Sequence, residues 1–234
     1  MSSPEHWPVD KIEWNLTRAP QGRRCVLLTT GALNPVHLGH VAMFDRARDC
    51  LEAEHGFDVV GGFLSPSHDA YLCGKYGDSA FFPADLRLAM CAAATNDHQW
   101  LAVTSWESSV SGSWPDFPVV TAALEHVLAE RYPDEDILVI YLCGQDHFCH
   151  AGASRLPGVA VVSRAGKSER TESARNIYAV RSDGSFSQLS ATQVREALAN
   201  EDIQTLENCL HPDVLTLLRE SHALGSGRPG VARG

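Results

Sequence analysis

The sequence is short of positive charge. Lys and Arg number 19 against 29 Asp and Glu, giving a formal net charge of −10 over 234 residues. Such a chain lacks the basic face that sequence-independent binding of duplex nucleic acid or of an anionic membrane requires. A small anion is not excluded, because a few basic groups and backbone amides hold one locally. No C-x-x-C occurs, and the seven cysteines (Cys25, Cys50, Cys73, Cys91, Cys143, Cys149, Cys209) are odd in number and irregularly spaced. That argues for scattered thiols in a reducing compartment over a disulfide framework. The opening MSSPEHWPVDKIEW has neither a basic start nor an apolar run, so no secretory signal is read there. No apolar run is longer than Ile137 to Cys143, which is far too short to span a bilayer. These absences lead to the expectation of a soluble cytoplasmic or nuclear protein with neither nucleic acid nor membrane as partner. Internal repeats, a Walker loop and a G-x-G-x-x-G fingerprint are also missing.

What is present suits a globular domain. Apolar residues make up 44% and charged residues 21%, and the length supports a core without disulfides or a structural metal. Residues 1–22 read as an N-terminal extension, 23–224 as a single domain, and 225–234 (GSGRPGVARG) as a flexible C-terminal tail. Apolar runs at 25–30, 58–64, 100–105, 137–142, 159–163 and 177–180 read as strands. Helical patterns occupy 38–54, 118–131, 192–199 and 214–221, and another starts at Pro83. Strand–helix alternation with fully apolar strands predicts an α/β fold. It would be a Rossmann-like, doubly wound, mainly parallel sheet with helices on both faces. Ligands on such sheets sit at the carboxyl ends of the strands, here after Thr30, Leu64, Ser105, Leu142 and Ser163.

The first of these ends reads Gly31-Ala32-Leu33-Asn34-Pro35-Val36-His37-Leu38-Gly39-His40 and then enters a helix. Gly31 permits close backbone approach, and Asn34-Pro35 fixes a turn. His37 and His40 flank the helix start on one side. Free amides at a helix N-terminus plus two imidazoles suit a phosphate. Near the other end, Ser190-Ala191-Thr192-Gln193-Val194-Arg195 precedes a helix. Its hydroxyls can cap the helix, and Arg195 can clamp phosphate oxygens.

G-x-x-N-P-x-H-x-G-H after a first strand resembles the signature of the paired-histidine nucleotidyltransferase superfamily, and the second motif resembles that superfamily's S-[ST]-T-x-[IV]-R. Further segments are Ser65-Pro66-Ser67-His68-Asp69-Ala70-Tyr71, Trp106-Glu107-Ser108, Gly144-Gln145-Asp146, Val162-Ser163-Arg164-Ala165-Gly166 and FFPADLRLAMCAAAT with Arg87. This set, in this order, is similar to the eukaryotic-type nicotinamide mononucleotide adenylyltransferases, over about residues 25–221. The resemblance implies transfer of the adenylyl group from ATP to nicotinamide mononucleotide, with the acid mononucleotide left open as an acceptor, forming NAD and pyrophosphate. It implies Mg²⁺ carried with ATP, and relatives that commonly form homo-oligomers. Phosphate binding falls to Gly31, Ala32, Leu33, Asn34, His37, His40, Ser190, Thr192 and Arg195, with His37, His40 and Arg195 catalytic. The nicotinamide nucleotide falls to Asp69, Tyr71, Trp106, Glu107, Gly144, Asp146 and Arg164. Trp106 would serve as a plate for the cationic ring.

Two departures stand out. Leu72-Cys73-Gly74 replace the lysines that relatives often carry after D-A-Y, leaving Lys75 as the nearest. A second aromatic after G-x-D is replaced by Asp146-His147-Phe148-Cys149-His150, where Phe148 or His147 can substitute. That cluster includes zinc-ligand types without a distant second pair, so no metal site is expected. His55, His98 and His211 read as solvated surface groups. Two alternatives stay open. One is another paired-histidine nucleotidyltransferase, acting with phosphopantetheine or CTP. The other is a catalytically weakened relative that only binds nucleotide.

Overall fold

The computed structural model describes residues 6–77, 81–163, 173–181 and 188–221. Arg164 and the 225–234 segment lie outside these residues. A short helix α1 (Asp10–Leu16) precedes strand β1 (Arg23–Gly31). Helix α2 (Leu38–His55) leads into β2 (Phe57–Pro66), and α3 (Asp69–Tyr76) and α4 (Ala84–Ala94) precede β3 (Leu101–Val103). Then come α5 (Trp106–Ser109), α6 (Phe117–Arg131), β4 (Leu138–Gly144) and α7 (Gln145–Ala151). Strands β5 (Val159–Val162) and β6 (Ile177–Val180) are followed by α8 (Ala191–Ala199), α9 (Ile203–Cys209) and α10 (Pro212–Glu220).

The six strands form one parallel sheet in the order β3-β2-β1-β4-β5-β6. The expected doubly wound α/β architecture is the observed one. β2 is buried along its whole length and β1 and β4 nearly so, because helices cover both faces. One core joins Phe44 of α2 and Met90 of α4 to Val194, Leu206 and Val214 of the last three helices. The other joins Ile12 of α1 and Val120 and Leu124 of α6 to Val26, Leu28 and Val139 of the sheet. The strand order reverses between β1 and β4. A crevice therefore opens at their carboxyl ends. Among the described residues no helix is long and apolar enough to cross a membrane, and all seven cysteines are free.

The described part of the N-terminal extension packs into the core. Trp7 and Ile12 are only 2% and 1% exposed. A Cβ on Gly61 would lie 2.7 Å from Ile12 Cγ1, so the missing side chain of Gly61 is what lets α1 settle on β2. Short helices such as α1, α5 and α9, of 7, 4 and 7 residues, give too few turns for periodicity to register. Local caps fix some of them, as where Asp202 accepts the Thr205 amide before α9.

Trp7→Ala should therefore destabilise the fold by about 3–5 kcal/mol, read as a lower urea midpoint with unchanged slope. An unchanged midpoint would return this segment to the periphery.

Candidate active site

The turn from β1 into α2 is held from two sides by arginine. Arg87 of α4 is fully buried. Its guanidinium donates to the carbonyls of Ala32 (3.0 Å), Phe82 (2.9 Å) and Ser67 (2.7 Å) and to Asp69 Oδ1 (2.6 Å). Arg195 of α8 donates to the Asn34 carbonyl at 2.8 Å and to Thr192 Oγ1 at 3.1 Å. The two motifs, far apart in sequence, thus meet directly. Within the turn, Leu33 takes a left-handed φ of 44°, a conformation unusual for a branched residue. Asn34 is fully buried and its Oδ1 accepts the Phe82 amide at 2.8 Å.

His37 is the N-cap of α2, in extended conformation, and is nearly buried. The two imidazoles lie 3.8 Å apart between centroids, tilted by 34°. The His37 amide donates to His40 Nδ1 at 3.2 Å. An amide N–H only donates, so Nδ1 is the acceptor and the neutral His40 ring carries its proton on Nε2. That leaves an N–H donor on the second nitrogen, the kind of group a phosphate oxygen accepts. Gly31 and Gly144 end the two strands that flank the reversal. A Cβ on either would meet nothing within 4 Å, so a ligand has room to approach both strand ends. Ser190 caps α8 by accepting the Gln193 amide at 3.1 Å, and Arg195 stacks over Tyr76 at 5.1 Å.

Beside this turn lies a cleft of about 150 Å³ whose lining includes Gly31, Tyr71, Lys75, Glu107, Trp114 and Asp116. Lys75 sits over Tyr71 at 5.8 Å, so a lysine is present despite the altered stretch after Tyr71. Trp114, 48% exposed, faces Tyr71 at 6.1 Å. It was not foreseen; a tryptophan in the Ser-Gly-Ser-Trp-Pro-Asp loop belongs to no apolar period, and that isolation was its only signal. His147 also lines the cleft and bonds the Tyr141 hydroxyl at 3.2 Å, while Phe148 packs toward the core. Partial desolvation lowers the His147 pKa.

The remaining expected residues are placed less directly. Trp106 stacks on Trp7 (6.2 Å, 29°) and does not line this cleft. Both oxygens of Asp69 are engaged, by Arg87 and by the Ala84 amide, so Asp69 acts as a brace. Asp146 is exposed in the first turn of α7. His150 Nδ1 bonds the Asp146 carbonyl at 2.7 Å, and His147 is turned to the Tyr141 hydroxyl. His98 and His211 are not plain solvated groups: they lie 3.8 Å from Asp45 and 3.4 Å from Asp97.

Fold and turn together define an α/β domain with two imidazoles and an arginine gathered where the sheet order reverses. The chain belongs to the cytidylyltransferase-like family, whose pattern matches residues 28–197. It is 34% identical over 150 residues to an Arabidopsis thaliana nicotinamide/nicotinic acid mononucleotide adenylyltransferase, covering 62% of this chain and 60% of that protein. It is 43% identical over 82 residues to the Xenopus tropicalis protein named nicotinamide/nicotinic acid mononucleotide adenylyltransferase 2, covering 35% and 25%. The chain thus matches about 60% or less of the length of these curated relatives. A Plasmodium falciparum nicotinic acid mononucleotide adenylyltransferase, solved in complex with APC, shares the fold at a TM-score of 0.61 and 14% identity, over 86% of this chain and 96% of that one.

Glu107 supplies a test of the cleft's electrostatics. It is 4% exposed and accepts the Ser65 hydroxyl at 2.7 Å. Burial raises its pKa from 4.5 to about 7, opposed by the bonds from Ser65 and Ser67 and by the charge of Arg87. Between these values the folded state holds a proton that the unfolded state has released. Stability should fall as pH rises through that window and level off above it. Glu107→Gln mimics the protonated form and should flatten the decline in melting temperature from about pH 5 to about pH 7. A slope equal to wild type would mean that Glu107 is already ionised in the fold at pH 5.

Proposed function

We propose that this chain transfers the adenylyl group of ATP to the 5′-phosphate of nicotinamide mononucleotide, giving NAD and pyrophosphate. The observation that carries the reading is the joined cradle: His37, His40 and Arg195 converge on one turn at the sheet reversal. The names of the curated relatives support the same chemistry. The attacking phosphate oxygen is already anionic, so the reaction asks for no strong base. It asks for two repelling anions held in line and for neutralisation of charge on the leaving pyrophosphate. The His40 Nε2–H, the Arg195 guanidinium and the amides that open α2 meet that demand. Mg²⁺ enters as part of the nucleotide substrate, held by phosphate oxygens and water.

The mononucleotide is assigned to the side of Tyr71, Glu107 and Trp114. Trp114, which faces Tyr71 in the cleft, is assigned to the pyridinium, and Trp106, stacked on Trp7 outside the cleft lining, keeps its proposed role as a second plate. Gly144, Asp146 and Arg164 keep their proposed place beside the nucleotide, and Asp69 orders Arg87.

A pyrophosphate-release assay tests the reading. ATP with nicotinamide mononucleotide should turn over, and CTP should not. His40→Ala and Arg195→Ala should each lower turnover by about 10²–10³-fold with the circular dichroism spectrum unchanged; near-normal turnover in either would sink the phosphate assignment. If Trp114→Ala alone raises the Michaelis constant for the mononucleotide and Trp106→Ala does not, Trp106 is a packing residue.

Two carboxyls, Glu107 and Asp116, face one ammonium, Lys75, in the cleft. Glu107 is ionised only above about pH 7, and in that range a carboxylate on the pyridine ring would be repelled there. The amide mononucleotide should therefore be used about tenfold better than the acid in kcat/KM, and Asp116→Asn should narrow the ratio. Equal use by the wild type would refute this.

A further inference from the structure

We propose a divalent transition-metal site, of the kind zinc occupies, in the last turns of α2, formed by Cys50, Glu54 and His55. It is separate from the nucleotide cradle, and nothing in the proposed reaction uses it. The thiol sulfur, a carboxylate oxygen and an imidazole nitrogen of these residues lie within 4.8 Å of one another. The cause is helical. Cys50 and Glu54 are four apart and share a face, and His55 follows as the last residue before Gly56 ends the helix at a left-handed φ of 68°.

Three independent features favour a cation there. His55 corrects its reading as a solvated group: its ring packs edge-on against Tyr178 at 5.0 Å, and its Nε2 is closed off from water without a hydrogen-bond partner. Such an orphaned polar atom costs stability unless something meets it. The negative end of the α2 dipole lies at this turn and attracts positive charge. Finally, Asp49, Cys50 and Glu54 border a cavity of about 600 Å³ that continues to Gln145 and Ser163, leaving space for a water as fourth ligand.

The donor set is one thiolate, one imidazole and one carboxylate. Three protein ligands with an open fourth position match zinc's tetrahedral habit, and the thiolate disfavours Mg²⁺ and Ca²⁺. Cys50 is held protonated by burial and by the neighbouring Glu54 charge, and its thiol points at the Ala179 carbonyl at 3.7 Å. On binding, the S–H bond breaks, a sulfur–metal bond forms and the proton goes to solvent, so affinity should rise with pH. At 1.5 Å per residue, Cys50 lies about 15 Å along α2 from His40, so the ion would not touch the phosphate cradle.

The test uses the full chain with Zn²⁺ and Co²⁺ alone. Zn²⁺ affinity is read by competition with a chromophoric chelator. Co²⁺ is read by its thiolate charge-transfer band in the near ultraviolet. Expected are one equivalent bound and a Co²⁺ band that Cys50→Ser abolishes. His55→Gln should weaken Zn²⁺ by about tenfold or more, and Cys149→Ser with His150→Gln should change nothing. Circular dichroism confirms that each variant is folded. The proposal is overturned by absence of stoichiometric uptake, by uptake that survives both Cys50→Ser and His55→Gln, or by loss of the band in the Cys149 variant.

Discussion

A single buried guanidinium organises the site. Arg87 has no exposed surface, and a charge in that position is tolerable only when its donors are answered. The answers come from the turn after β1, the end of β2, the approach to α4 and the Asp69 carboxylate. Three of the four acceptors are backbone carbonyls, so the guanidinium fixes the course of the chain and not merely a side chain. The planar fork of arginine reaches divergent acceptors at once, which a lysine ammonium on its flexible stem does not. The left-handed Leu33 and the buried Asn34 persist because this frame overdetermines them. Arg195 completes it from the opposite end of the chain.

Around that frame the charges are sorted by depth. The chain is acidic overall, yet the turn at the sheet reversal presents two imidazoles and an arginine. These are N–H donors and one fixed positive charge, the groups that the proposed function assigns to an anionic ligand. The adjoining cleft is lined by Asp116, by Lys75 and by Glu107, whose carboxyl is ionised only above about pH 7. The proposed function assigns the phosphates to the first group of residues and the cationic ring to the second. That juxtaposition is the physical content of the proposed reaction.

Much of this was legible beforehand. The strands could be read because a parallel sheet covered on both faces leaves unbroken apolar runs such as CVLLTT. The helix starts at His37 and Ser190 could be read because helix starts need caps, a requirement that residue type and spacing express locally. Arg87 could be seen but not understood, since three of its four acceptors are main-chain carbonyls that no sequence pattern marks. The role of Trp7 was hidden for a similar reason. Its partner Trp106 lies about a hundred residues away, and an indole near a polar terminus looks peripheral until the sheet brings the two together. His55 was misread because a polar residue at a helix end is usually wet, and only the packing of Tyr178 closes it off.

The sequence by itself determined the architecture and the chemical types at the site: the alternation of strand and helix, the paired histidines, the arginine of the last motif. These follow from short-range rules of periodicity, capping and charge. The tertiary structure alone decided which groups meet. It placed Arg195 on the Asn34 carbonyl, enclosed Glu107 and so raised its pKa, and brought Trp114 to a cleft wall. Burial, dielectric and non-local contact are properties of the packed chain, and no stretch of sequence contains them.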